Sequence, residues 1–460
     1  MAKIDRTELF ERMPIRRAVA LQILPAIAGQ MITLIYNLAD AYFVGMLNDP
    51  LQTAGITVAG MCFIALTTLS NLFGVGGASV IARALGKKDP QSAKQIAATA
   101  FWGGLAVSVL FSLLFFLFAR PILFLCGATE ETYAVTYNYA KWTVMVGGSA
   151  TVLNALLANL VRSEGCAVHA SIGVALGGVL NILIDPFFVL PQYLDMGAAG
   201  AGLATAISNG SAVVYFLCLL AFRRNNTVIS VSPRHLRHLG RHLGKVLAGG
   251  FPSAVQHALV IVAAATLTSF ISHDSTEAVA ALGIVKKLDQ LPLYFSLGTA
   301  NGLLPLLAYS YSSGNQQRRA QAFRFGCTIA VGFSLLCLIL YEIFADPLSR
   351  IFIDDAATIA YSRSFLRIMV VAMPMMSFCY CMIIQFQAMG KVRESLICSI
   401  LRKGVLDIPL LFLMDYLFPL YGCLFVQPFV DAISLVIAAI LYRRVQRQLI
   451  ARPVKAEPLI

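Results

Sequence analysis

Long apolar stretches alternate with short polar ones along this chain. Residues 95–119, 196–222 and 290–317 contain no Asp, Glu, Lys or Arg. A helix that crosses a bilayer needs about 20 mainly apolar residues. Windows of that kind predict twelve spans: 14–44, 52–83, 95–119, 134–161, 168–190, 197–222, 246–272, 279–311, 320–344, 361–389, 395–417 and 420–442. The expected fold is therefore all-α and membrane-embedded, with every span a helix.

Charge placement orients the spans. Basic residues concentrate on the cytoplasmic side of membrane proteins. With both termini in the cytoplasm, the inner segments hold Lys3, Arg6, Arg12, Arg16 and Arg17, then Arg83, Lys87, Lys88 and Lys94, then Arg162. The stretch between spans 6 and 7 adds Arg223, Arg224, Arg234, Arg237, Arg241 and Lys245. Arg318, Arg319, Arg324, Lys391, Arg393, Arg402 and Lys403 follow, and Arg443, Arg444, Arg447, Arg452 and Lys455 close the series. The short outer loops carry Asp49, Asp195, Asp274, Glu277, Asp354 and Asp355 instead. Removing one span would place basic loops on both sides, so the count is even.

Composition agrees. Of 460 residues, 58% are hydrophobic and 13% charged, about half the usual charged share of about 25%. So few charges do not cover a soluble protein of this size. An ordinary cytosolic enzyme, a disordered scaffold and a secreted disulfide module are excluded. The net charge of +12 belongs to the cytoplasmic segments and implies no nucleic-acid partner. The first apolar window runs into Asp40 without a small-residue cleavage site and is read as a span, not a signal peptide. The expected location is the cytoplasmic membrane, multi-pass.

The two halves repeat. Residues 55–86 align without a gap on 283–314, and Gly178-Val179-Leu180-Asn181 matches Gly404-Val405-Leu406-Asp407. Leu24-Pro25 falls near Phe251-Pro252. Six spans repeated in one orientation imply two lobes related by a pseudo-two-fold axis along the membrane normal, a plan typical of transporters. The predicted organisation is an N-lobe at 1–222, a cytoplasmic basic linker at 223–245 and a C-lobe at 246–460. The linker contains His235, His238 and His242 and reads as a solvated basic segment. The sequon at Asn225 is cytoplasmic in this topology and stays unmodified.

Ionisable residues inside spans carry the chemistry. A charge at the bilayer centre costs at least about 2.5–3.5 kcal/mol, so it needs a partner, water or a proton. Asp40 lies in Tyr36-Asn37-Leu38-Ala39-Asp40, and helical spacing puts Asn37 and Tyr36 on its face. Asp185 lies in Asn181-Ile182-Leu183-Ile184-Asp185-Pro186, with the Asn181 amide one turn back. Pro186 has no N–H for the carbonyl of Ile182, which is left free nearby. Span 6 offers Thr205. Two carboxylates, an amide, a hydroxyl and a freed carbonyl make an oxygen-rich nest for a proton or a small hard cation. Two neighbouring carboxylates titrate as a unit, which suits a switch. No ATP motif is present, so transport must draw on an ion gradient.

The second half differs. Leu267 stands where Asp40 would repeat, and Asp407 where Asn181 would. Lys286, Lys287 and Asp289 in span 8, and Arg363 and Arg367 in span 10, read either as a polar site of their own or as internal ion pairs near the outer face. Gly74-Val75-Gly76-Gly77 in span 2 lacks a preceding strand and a Walker lysine, so it reads as close helix packing. Cys379 and Cys381 form a C-x-C that reads as small-residue packing. Met373, Met375 and Met376 read as packing surface.

With those residues in place, the chain resembles the multidrug and toxic compound extrusion (MATE) family. The likeness rests on Tyr36-Asn37-Leu38-Ala39-Asp40 with Phe43-Val44-Gly45, on Ala84-Leu85-Gly86-Lys87-Lys88-Asp89 and on Arg162-Ser163-Glu164-Gly165. Leu180-Asn181-Ile182-Leu183-Ile184-Asp185-Pro186 and Gly197-Ala198-Ala199-Gly200-Ala201-Gly202 complete it. The resemblance implies antiport of cationic or amphipathic drugs against H⁺ or Na⁺, with no other cofactor. It implies that Asp40, Asn181, Asp185 and Thr205 form the N-lobe cation site, with Tyr36, Asn37 and Asn154 around it. Span 7 reads Pro252-Ser253-Ala254-Val255-Gln256-His257 and lacks the carboxylate of one branch, so coupling is expected in the N-lobe. Span 1 is expected to hinge near Pro25. Small-molecule drugs and membrane lipid are the expected partners, and a monomer the expected state. A lipid-linked saccharide flippase shares the two-lobe plan and is the alternative; Lys286, Arg363 and Arg367 keep it open, while the carboxylates oppose it. A membrane-embedded enzyme would need a nucleophile with its base or a metal cluster, and His169 and His257 form neither, so no enzyme is expected.

Overall fold

The computed structural model describes residues 7–47, 49–272, 274–353 and 355–451. Lys3, Arg6, Asp354, Arg452 and Lys455 of the charge pattern lie outside the described residues, as do the side chains of Arg237 and His238. Among the described residues every regular element is helical. Nine helices are long and apolar enough to cross a membrane, or eleven with each of two bent pairs taken as one span. The seven before the middle of the chain are α1 (Ile15–Gly45), α2 (Pro50–Gly86), α3 (Pro90–Leu125), α4 (Glu130–Ala140), α5 (Gly148–Ser163), α6 (Ala167–Val189) and α7 (Gly197–Phe222). After it come α8 (Leu239–Ile271), α9 (Thr276–Ser312), α10 (Gln316–Ile343), α11 (Ala345–Arg350), α12 (Ala356–Val370), α13 (Met373–Ala388), α14 (Val392–Ile400), α15 (Asp407–Leu417) and α16 (Tyr421–Ala451).

Three predicted spans are not straight. Span 4 is α4, a π-helical segment at Lys141–Val146 and α5, bent by 52° at Gly147. Two consecutive glycines explain the bend, since Gly147 lies so close to α7 that a Cβ would come within 2.7 Å of Ala206 Cβ. Span 10 is α12 and α13, bent by 43° just before Pro374. The window at 395–417 is α14, a π-helical turn at Leu401–Val405 and α15. The π-turn holds Arg402 and Lys403, and such wide turns recur at functional sites.

Asp and Ser side chains start several helices. Asp49 accepts from Leu51 N at 2.9 Å and is followed by Pro50; Asp89 accepts from Ser92 N at 2.9 Å and is followed by Pro90. An acceptor before a proline satisfies the first free amides where proline needs no donor partner. Large apolar side chains cover the outside of α3, with Phe116 65% exposed and Leu117 59%. That surface is stable only against lipid.

The chain divides into two compact units. The first holds the described residues of Met1–Arg12 with Ala28–Ala254, the second Met13–Ile27 with Val255–Ile460. Two of the divisions fall inside α1 and α8, each two residues after a proline, Pro25 and Pro252, and both helices run unbroken through their prolines. In the first unit, Leu66, Phe115, Leu123, Val144, Val152 and Val189 form a core. In the second, Ile271, Leu282, Phe365, Leu366 and Leu424 form another.

The segment between α7 and α8 corrects the expectation of a solvated linker. Thr227, Val228 and Ile229 are buried, and Glu164 accepts from Thr227 Oγ1 at 2.9 Å and Val228 N at 3.1 Å. Trp102 Nε1 donates to the Val231 carbonyl at 3.0 Å, and His242 Nε2 pairs with Gln95 Oε1 at 3.0 Å. The apolar Thr-Val-Ile run and a buried carboxylate dock the segment on the first unit, which its basic composition concealed.

The glycines of span 2 do serve close packing. A Cβ on Gly250 of α8 would lie 1.8 Å from the Leu72 carbonyl oxygen of α2. Overpacking typically costs about 1–3 kcal/mol, and here backbone must move. Gly250→Val should lower the melting temperature of the purified protein by several degrees, while Gly240→Ala, with nothing near its Cβ, should leave it unchanged.

Candidate functional site

The predicted acids meet inside the first unit. Asp40 sits near the C-terminal end of α1 and Asp185 one turn before the end of α6. Their carboxyl groups lie within hydrogen-bonding reach of each other. Asp185 is fully buried. Asn181 Nδ2 donates to Asp185 Oδ1 at 3.2 Å and contacts Thr205 Oγ1 on α7 at 3.4 Å. Three helices thus deliver Asp40, Asp185, Asn181 and Thr205 to one pocket. One helical turn separates Asn181 from Asp185, so the short bond follows from their spacing.

The pocket is rich in unpaired acceptors. Asp40 Oδ1, Asp185 Oδ2 and Asn181 Oδ1 are buried and have no hydrogen-bond partner among the described residues. All three can only accept when the acids are ionised. Buried acceptors left over in a dry place cost several kcal/mol each in a membrane. A proton or a hard monovalent cation removes that cost, because carboxylate and amide oxygens are suitable ligands for either. The donor set therefore fits the H⁺ or Na⁺ that the sequence led us to expect.

The surrounding residues divide. Tyr36 packs beside Gly178, where a Cβ would lie 3.1 Å from Tyr36 Cδ1 and 2.7 Å from Ile32 Cγ2. The bare backbone at Gly178 is what lets α1 approach α6 one turn before Asn181. Asn37 is half-buried on α1, one turn before Asp40. Asn154 belongs to a neighbouring cluster: its Nδ2 donates to Asn209 Oδ1 at 2.8 Å, and Asn209 Nδ2 to Thr151 Oγ1 at 3.1 Å. Asn209 lies one turn beyond Thr205 on α7, so this cluster continues the polar track.

Tyr139 is a residue that the sequence reading missed. It ends the regular part of α4, is 6% exposed and interacts electrostatically with Asp40, Asp185 and Tyr36. Gly202 holds α7 against it, since a Cβ there would come within 2.8 Å of the Tyr139 carbonyl oxygen. The only signal in the sequence was a tyrosine inside an apolar window.

Several other charges within the spans lie in the second unit. Arg363 pairs with Asp346 at 3.5 Å and Arg367 with Glu342 at 3.6 Å, all partly exposed. Lys286 Nζ donates to Thr268 Oγ1 at 2.7 Å and to the Ala264 carbonyl at 3.3 Å. The ion-pair expectation holds for the two arginines and not for Lys286. Arg402 Nε donates to Asp431 Oδ1 at 2.6 Å in a fully enclosed pair, and Lys403 Nζ reaches Asp407 Oδ2 at 3.1 Å.

Comparison with known proteins gives a consistent picture. The MatE family model matches twice, at residues 25–187 and 252–413. Multidrug export protein MepA of Staphylococcus aureus is 29% identical over 420 residues, covering 91% of this chain and 92% of that protein. MepA of Staphylococcus saprophyticus is 29% identical over the same shares. Among solved structures, a multidrug resistance MATE family transporter of the MOP superfamily in an outward-facing conformation superposes with a TM-score of 0.90. It is 23% identical over 97% of this chain and 98% of its own. A Vibrio cholerae MATE transporter gives 0.87 at 21% identity, over 94% of this chain and 97% of its own.

Gly178→Val should push α1 from α6 and separate the acids. We expect a protein that inserts and remains monodisperse but loses at least about tenfold in substrate transport, about 1.4 kcal/mol of coupling. Gly210→Val, with nothing near its Cβ, should transport normally in the same vesicle assay.

Proposed function

The chain belongs to the MatE family of membrane transporters, and from that premise we propose that it is a multidrug efflux antiporter. It exports cationic or amphipathic organic compounds in exchange for H⁺ or Na⁺, by alternating access. The observation that carries this reading is the meeting of Asp40 and Asp185 in one buried pocket with acceptors to spare. Export of drugs by the MepA relatives supports the substrate class.

The physical cycle follows from charge. An ion arriving from outside neutralises the acid pair and satisfies its oxygens. The α1 segment that carries Asp40 then has no unpaired charge to hold against α6, and it repacks about Pro25. Drug release accompanies that repacking. When the ion leaves inward, the pair is charged again and favours a cationic substrate. A proton gradient of one pH unit supplies about 1.4 kcal/mol, and about 100 mV adds roughly 2.3 kcal/mol per net charge moved. One or two ions per cycle suffice for useful accumulation. The flippase alternative loses ground because Arg363 and Arg367 are engaged in ion pairs and Lys286 with a hydroxyl and a carbonyl, rather than free to take pyrophosphate.

Everted vesicles test the proposal, with ethidium efflux followed under an imposed ΔpH or ΔpNa. One gradient should drive export in the wild type. Asp40→Asn and Asp185→Asn should each insert normally and lose export at least about tenfold; full export in either variant refutes the coupling role. Tyr139→Phe should keep export but shift its pH or Na⁺ optimum, because it removes a hydroxyl that interacts with both acids.

A further inference from the structure

The acid pair of the first unit has a counterpart in the second. Asp407 repeats Asn181 at a spacing of 226 residues, and the same spacing carries Thr205 onto Asp431. The doubled family match includes Asn181 and Asp407 and ends before Thr205 and Asp431, whose equivalence rests on the common spacing. In the first unit Asn181 and Thr205 face each other across α6 and α7. In the second, Asp407 and Asp431 lie on the corresponding α15 and α16 and are both buried.

What joins them is a lysine. Lys403 Nζ donates to Asp407 Oδ2 at 3.1 Å and also to Gln427 Oε1. Gln427 Nε2 donates to Asp431 Oδ2 at 2.7 Å, and Arg402 Nε completes Asp431 at 2.6 Å. The π-turn at Leu401–Val405 supplies both cations from consecutive positions. The network is charge-balanced: Arg402 and Lys403 face Asp407 and Asp431, and Asp289 and Lys286 of α9 lie within electrostatic reach. Here the contrast with the first unit is plain. Neither Asp407 nor Asp431 has a buried oxygen left without a partner among the described residues, whereas Asp40 Oδ1, Asp185 Oδ2 and Asn181 Oδ1 of the first unit do. An ammonium held by a carboxylate and an amide oxygen stands in for a small monovalent cation.

We propose that Lys403 is a tethered cation that fills, in the second unit, the place a coupling ion visits in the first, and so confines ion coupling to one unit. The comparison rests on reading Asp40 and Asp185 as the coupling site, but the consequence for Lys403 is separately testable. Shortening this side chain removes the cation bonded to Asp407 and leaves Arg402 on Asp431, with Lys286 of α9 nearby but bonded to Thr268, and so makes room for a mobile cation. Na⁺, or an alkylammonium of the size removed, should then bind. Lys403 thereby sets the number of ions per cycle, a property that the first unit alone does not decide.

The experiment uses full-length protein in detergent carrying Asp40→Asn and Asp185→Asn, so that the first unit takes no ion. Melting temperature and calorimetric binding are followed against methylammonium, ethylammonium and NaCl, with choline chloride as the ionic-strength control. Lys403→Ala added to this background should bind methylammonium or Na⁺ at least about tenfold more tightly than the background itself and melt higher in its presence. A folded Lys403→Ala protein with an unchanged response overturns the proposal. If Lys403→Ala does not fold, expression with methylammonium in the medium decides: recovery of monodisperse protein supports the tethered cation, and failure to recover it overturns it. Failure of the coupling-site reading would appear instead as retained transport in Asp40→Asn and leaves this binding assay untouched.

Discussion

Hydrocarbon offers no hydrogen bonds, and the structure is organised by that fact. Backbone groups meet it by forming helices throughout the described residues. Side chains meet it less completely. Many polar residues within the spans bond to a neighbour one turn away or to a facing helix, as Thr99 does to Gln95 O and Ser112 to Val144 O. In the first unit the two acids and Asn181 each keep a buried oxygen, Asp40 Oδ1, Asp185 Oδ2 and Asn181 Oδ1, with no such partner among the described residues. Buried acceptors without donors are costly where no hydrogen-bonding solvent replaces them, and the coupling proposed above rests on that cost.

The two units answer the same demand differently. Both are all-helical among the described residues, and the family model matches each of them once. In one, the acids are left short of donors. In the other, Arg402 and Lys403 close the account with Asp431 and Asp407. Enclosing an ion pair is itself costly, and breaking one by removing a single partner typically costs about 3–5 kcal/mol. The carboxylates Asp407 and Asp431 of the second unit are thus matched by cations, while Asp40 and Asp185 of the first are not. A repeat that began as two equal halves can divide labour in this way by exchanging a few side chains on a fixed backbone.

Small residues decide where backbone can approach backbone. Gly178 admits α1 to α6, Gly202 admits α7 to Tyr139, and Gly250 admits α8 to α2. The bends at Gly147 and before Pro374 shape spans that a hydropathy window treats as straight. None of these positions is chemically active. Gly178 and Gly202 in particular set how closely Tyr36 and Tyr139 pack against α6 and α7.

Much of this was legible along the chain. Uncharged windows set the helices because a span needs a minimum apolar length, and the periodic placement of Tyr36, Asn37 and Asp40, or of Asn181 and Asp185, put each set on one face. Local spacing of that kind is enough for contacts within a helix. It could not pair Asp40 with Asp185 at bonding distance, draw in Tyr139 from α4, move Asn154 into the Asn209 and Thr151 cluster, or bury the basic segment after α7 against Glu164. Those contacts join residues far apart in the chain, and they depend on how closely helices pack. The chain alone determined which residues carry charge into the membrane; the packing of helices decided which of those charges find partners, as Arg402 and Asp431 do, and which keep buried oxygens without one, as Asp40 and Asp185 do.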